Sequence, residues 1–148
     1  MKNFKLTYVI IIFLSLLCNQ VSAIENRILF KVNNEIITSL DIFNELRYLE
    51  VINEQFKNTE KKQALDIAKR SLIREKIKEI ELKKVVKEIE LEEQFLENVL
   101  TSYFRKIKIN SISSFENYFD SIGINSNIIK KKITIEILWN QLIFSKYN

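Results

Sequence analysis

Apolar positions along the chain follow two periods. Over residues 28–37 (ILFKVNNEII) apolar and polar side chains alternate loosely, with Asn33-Asn34 in the middle. Asparagine accepts positive φ more readily than other non-glycine residues, so this pattern predicts a strand over 28–32, a two-residue primed turn and a return strand over 35–37. Thr38 or Ser39 is then a natural N-cap, and Asp41 lies early enough to favour the positive end of a helix. From there the period lengthens. Leu40, Phe43, Leu46 and Val51 are spaced as one helical stripe, widened by Tyr48, Leu49 and Ile52.

The polar stretch over 53–62 reads as a helix connection, with Thr59 as the next N-cap. A long helix is predicted over about 60–87, with Leu65, Ala68, Leu72, Ile73, Ile77 and Ile80 on its apolar face. The pairs Asp66/Arg70 and Glu79/Lys83 fall at i,i+4 on what reads as its solvated side. Helical phase is lost around VVKEIELEE, which predicts a bend near 87–90. The following helix carries two stripes, Leu91/Phe95/Val99/Tyr103 and Leu96/Leu100/Phe104/Ile107. Glutamates gather at its start and Arg105, Lys106 and Lys108 at its end, as a helix dipole favours.

Ser113 and Glu116 have capping-box spacing, predicting a short helix over 114–121, with Gly123 as a left-handed terminator. Asn125 or Ser126 opens a last helix to about 144. Within it ITIEI alternates like a strand, yet the length and the flanking Ile128, Ile129, Leu138, Trp139 and Leu142 favour a largely buried helix. The predicted fold is mainly α, a short N-terminal β-hairpin followed by about five helices.

The first 23 residues stand apart. Lys2 and Lys5 precede an apolar run over 6–17, and Val21-Ser22-Ala23 offers the small residues a signal peptidase accepts. The run is short against the ~20 apolar residues that cross a bilayer. The expectation is a signal peptide over 1–23, cleaved between Ala23 and Ile24, and one exported domain over 24–148 with no stable membrane insertion. The alternative is an uncleaved N-terminal anchor. Cleavage removes Cys18, the single cysteine of the chain, and lowers the formal net charge from +4 to about +2. A balance so close to neutral gives no reason to expect nucleic acid.

The chain has no histidine, one glycine and no proline. It therefore lacks the side chain best suited to proton transfer near neutral pH, a nucleophile–histidine pair, and a glycine-rich phosphate loop. These absences argue against an enzyme, a cofactor or a metal centre. The aromatic residues are the remaining resource. Most are expected to fill the core, and those left on a groove would suit extended apolar polypeptide. Phe43, Tyr48, Phe95, Tyr103 and Trp139 are the candidates for that lining.

The order of these pieces resembles the N-terminal domain of the SurA family of periplasmic chaperones, which escort unfolded outer-membrane proteins. The resemblance extends over residues 27–146. It rests on ILFKVNNEIIT with its following aspartate, on LIREKIKEIELKKVVKEIELEEQFLENVL, and on SNIIKKKITIEILWNQLI. It implies a holding chaperone for outer-membrane or secreted polypeptides. Some family members carry parvulin-type prolyl isomerase domains, which nothing in this sequence resembles. The family also commonly completes this domain with a returning C-terminal strand and helix, so the hairpin here is expected to keep an open edge for self-association, a partner strand or the client. The alternatives are an adaptor or assembly module with one partner, and a non-catalytic remnant of a prolyl isomerase of this type.

Overall fold

The computed structural model describes residues 26–147; the leader and its Ala23/Ile24 junction lie outside them. Strands β1 (Ile28–Val32) and β2 (Glu35–Thr38) form an antiparallel hairpin, followed by helices α1 (Ser39–Ile52), α2 (Lys61–Leu82), α3 (Glu93–Tyr103), α4 (Ile112–Ser121) and α5 (Ser126–Tyr147). Short 3₁₀ turns over Glu54–Asn58 and Arg105–Ile107 join α1 to α2 and follow α3. The mainly helical architecture with an N-terminal hairpin is the one the hydrophobic pattern predicts.

Val32 pairs with Glu35 across the turn, and Asn33 takes the positive φ of 53° that closes it. The register slips between Ile28 and Phe30, a bulge that leaves Leu29 without a partner across the ladder. Thr38 caps α1 through a capping box: its Oγ1 accepts from the Asp41 N–H at 3.3 Å, and its own N–H donates to Asp41 Oδ2 at 2.7 Å. The strand thus feeds straight into the helix. Arg27 is drawn to the same corner, its carbonyl accepting from the Ser39 N–H at 2.9 Å.

Two apolar cores result. Ile37, Ile42 and Leu72 bury together, seating the hairpin on α1 and α2, with Phe30, Val32, Leu46 and Ile73 packed around them. A larger one gathers Tyr48, Leu100, Phe104, Phe115, Phe119, Ile124, Ile129 and Ile133 from α1, α3, α4 and α5. At its centre Phe104 meets Phe119 edge-on at 5.3 Å, and Phe115 lies 4.8 Å from Phe119, the tilted geometries aromatic quadrupoles favour. Gly123, with φ of 71°, turns the chain out of α4, and the Asn125 side chain caps α5 by accepting from the Asn127 N–H at 2.9 Å.

Several expectations are corrected. Helix α2 ends at Leu82 rather than near 87, and residues 83–92 form turns and extended chain. Leu65 and Ile77, expected on its inner face, are exposed, whereas Ala68 and Leu72 are buried as expected, with Ala64 and Leu82 buried beside them. Helix α4 starts two residues earlier than expected, on a capping box between Ser111 and Ser114. Glu116 instead pairs with Lys130 of α5 at 2.6 Å. The stretch ITIEI is helical.

The largest correction concerns charge. Glu79, expected on a solvated face, is 2 % exposed. Its carboxylate meets the ammonium groups of Lys131 at 2.6 Å, Lys83 at 3.1 Å and Lys76 at 3.2 Å, joining α2 to the start of α5. A second buried group lies one helical turn away, where Lys132 of α5 pairs with Glu45 of α1 at 2.8 Å and with Glu75 of α2. Burial alone would raise the Glu79 carboxyl, but the hydrogen bonds from Lys131 and Lys83 and the charge of Lys76 outweigh it. They hold the group at about 2, against an ordinary 4.5.

The unfolded chain takes up this proton first as pH falls, so the contribution of Glu79 is complete above pH 4.5 and is lost progressively towards pH 2. Urea unfolding across that window should show stability falling with pH. Glu79→Gln should be less stable at neutral pH and should flatten the slope; an unchanged slope would exclude Glu79 as its source.

Candidate functional site

A groove of about 450 Å³ opens where α1, α3 and α5 converge, with Ser71 of α2 at one edge. Helical spacing assembles its walls. Ile52 lies one turn on from the adjacent Tyr48 and Leu49 on α1, Val99 and Tyr103 are i,i+4 on α3, and Ile133 and Ile137 are i,i+4 on α5. Its charged lining is already engaged: Lys132 is held by Glu45 and Glu75, and Glu136 accepts from Lys78 at 2.6 Å. What the groove offers a ligand is therefore chiefly apolar and aromatic surface.

Tyr48 forms the floor. It is 4 % exposed and belongs to the main core, with the Lys132 ammonium 5.2 Å from its ring centroid. Burial, with the neighbouring Tyr103 phenol, pushes its hydroxyl far above the ordinary tyrosine range, so Tyr48 stays neutral. Tyr103 forms the lip. It is 53 % exposed, and its ring packs edge-on against buried Phe104 at 5.0 Å, so one side is anchored while the other faces solvent.

Two further depressions adjoin at Tyr103. One, of about 180 Å³, lies between it and Val51, Ile52 and Ile107. A shallow one of about 380 Å³ runs along Asn98, Val99 and Ser102. With Lys106, Asn98 and Ser102 also in their walls, the two depressions and the groove make a discontinuous track of mixed apolar and polar surface along α3 and the end of α1.

Of the five aromatic candidates, Tyr48 and Tyr103 come together here and the other three lie elsewhere. Phe43 is half-buried with the Arg47 guanidinium 5.3 Å from its ring centroid. Phe95 is exposed on α3 one turn before Val99, and Trp139 is half-buried on α5. None of these three lines the groove. Leu49, Ile52, Val99, Ile133 and Ile137 belong to it without having been singled out. Their sequence signal is repeated i,i+4 apolar spacing, the same signal as a core face, and only the crossing of the helices distinguishes the two.

Among the described residues no helix is long and apolar enough to cross a membrane, and no group of three or more carboxylate, histidine or cysteine side chains is placed to hold a metal ion. Comparison with protein-family models, with curated proteins and with solved structures returns no match.

Floor and lip should respond differently to truncation. Tyr48→Ala removes a buried ring and should cost about 3–5 kcal/mol in urea unfolding. Tyr103→Ala removes a half-exposed one and should cost about 1 kcal/mol or less. Equal losses would mean that Tyr103 serves the core.

Proposed function

We propose that the protein is an exported holding chaperone that works without ATP, covering apolar segments of unfolded outer-membrane or secreted polypeptides in the groove under Tyr103. The observation that carries this reading is the position of Tyr103, a half-exposed ring shared by three adjoining depressions. Bound chain would gain contact with rigid aromatic and branched aliphatic surface that is already in place, so little side-chain entropy is lost on binding. With the groove's charges engaged internally, recognition depends on apolar area rather than on sequence, as a holdase requires. The resemblance of the VNNEIIT hairpin and the helices behind it to the SurA N-terminal domain supports the same reading. So does the leader, with release at Ala23/Ile24 into the periplasm.

A second reading, an adaptor for one partner, has its own support in the hairpin. Among the described residues its sheet has two strands, so each has an edge without a strand partner there, and Ile28, Leu29 and Ile36 of these strands are exposed. Strand addition to such an edge is a recognised docking mode.

Light scattering during dilution of denatured outer-membrane barrel proteins distinguishes the two. The chain without residues 1–23, which retains both apolar cores, should suppress aggregation of several unrelated clients near stoichiometric amounts. Tyr103→Ala should require severalfold more protein for the same effect while remaining folded. Suppression of a single client favours the adaptor, and no suppression by a folded sample contradicts the holdase.

A further inference from the structure

The C-terminal half of α1 and the 3₁₀ turn after it carry charges of both signs on one face. Arg47, Glu50, Val51 and Glu54 follow one another at helical spacing, and Lys57 comes three residues later. Together with Ile107, Tyr118 and Ile122 they line a cavity of about 200 Å³. It shares Val51 and Ile107 with the smaller depression beside Tyr103, and no residue with the groove. A single water needs only ~10–15 Å³ of such space, so the cavity holds far more than one.

Two cations and two carboxylates thus surround one space. Spacing of i,i+3 would let Arg47 pair with Glu50 and Glu54 with Lys57, yet none of the four forms an ion pair or a side-chain hydrogen bond among the described residues. Arg47 is nevertheless held in place. It is half-buried, and its guanidinium lies 5.3 Å from the ring centroid of Phe43. It also reaches the backbone at Gly123, where a Cβ would stand 3.2 Å from Nη1, so the missing side chain is what admits it. Ile122, the residue before this glycine, is part of the cavity wall, which places the guanidinium at that wall. A planar fork fixed by a ring and by backbone, with its donors unused, is prepared for two-point contact with a carboxylate.

The remaining lining decides which carboxylate. A simple anion would face Glu50 and Glu54, and a simple cation would face Arg47 and Lys57. Only a ligand bearing both signs close together satisfies the set. Val51, Ile107 and Ile122, partly buried against the aromatic core, add an apolar wall, and Tyr118 beside them packs edge-on to Phe119 at 5.4 Å. We propose that this cavity binds a free α-amino acid with an apolar side chain. Its carboxylate lies on Arg47, its ammonium on Glu50, and its side chain against Val51, Ile107 and Ile122. Glu54 and Lys57, both exposed, add a second charge of each sign. The site does not depend on the holdase reading, since it lies outside the groove and its test uses a small molecule.

Titration of the isotope-labelled protein with L-leucine, followed by amide NMR, should give saturable shifts concentrated at Val51, Ile107 and Ile122. N-acetyl-L-leucine keeps only the carboxylate and L-leucinamide only the ammonium. Each should bind roughly tenfold more weakly than leucine or worse, the scale of a hydrogen bond to a charged group. Arg47→Gln should weaken leucine by a similar factor and leave leucinamide unchanged. Should that variant fail to fold, the three probes on the unaltered protein decide alone. No saturable shift with leucine overturns the proposal. So does binding of either singly charged probe as tight as that of leucine, which would make the cavity a site for one charge only.

Discussion

Lys132 carries its ammonium into the interior where α1, α2 and α5 meet, with Glu45 on one helix and Glu75 on another, and with the ring of Tyr48 beside it. Burial opposes its charge, yet the two carboxylates more than compensate and raise its affinity for the proton. Such a group is a weak source of net stability, because desolvating three charges consumes much of their attraction. Its value is geometric. An ammonium has to meet its acceptors closely, and these acceptors sit on different helices. The arrangement therefore fixes how α5 slides and rotates against the α1–α2 pair more tightly than interchangeable aliphatic contacts would. The second buried carboxylate, Glu79, repeats the device one turn along α2, with Lys131 reaching it from the residue before Lys132.

Tyr48 and Lys132 line both the groove and a second, smaller cavity of about 190 Å³ among α1, α2 and the start of α5. Helix α3 completes the groove because Leu100 and Phe104 lock into the aromatic core, which holds Val99 and Tyr103 outward at its edge. The groove and the smaller cavity thus share Tyr48 and Lys132 in their walls.

Where structure was set by neighbours in sequence, it was legible. Asn33 turns the hairpin, Thr38 and Asp41 cap α1, and Gly123 ends α4, each through contacts or dihedrals within a few residues. Even among local signals competition intervened: Ser113 and Glu116 had the right spacing, but Ser111 and Ser114 formed the box, and Glu116 was drawn to Lys130 on a distant helix. Helix faces were read less well. Leu65 and Ile77 fit the stripe of α2 and still face solvent, because a helix packed between a hairpin, α1 and α5 buries the side its partners cover. Val85 and Val86 extended the apolar pattern past Leu82 without extending the helix. They follow two lysines and are β-branched, and beyond Leu82 no fully buried residue anchors the segment. The buried carboxylates were the least legible feature. Hydropathy assigns every glutamate to the surface, and what draws Glu45, Glu75 and Glu79 inward is a pair of adjacent lysines on α5, Lys131 and Lys132, far away in sequence. The candidate site inherits both limits. Tyr48 and Tyr103 were visible as aromatics, while the groove joining them depends on how three helices cross.

Unfolding of Lys132→Met in urea at neutral pH tests the role of the buried ammonium most directly. If the ammonium is the counter-charge that lets Glu45 lie inside with Glu75 half-buried beside it, its loss leaves these two carboxylates without their shared cation, and stability should fall by about 3–5 kcal/mol although methionine matches the stem in length. A variant within about 1 kcal/mol of the parent would contradict the account, since a marginal surface pair loses no more than that.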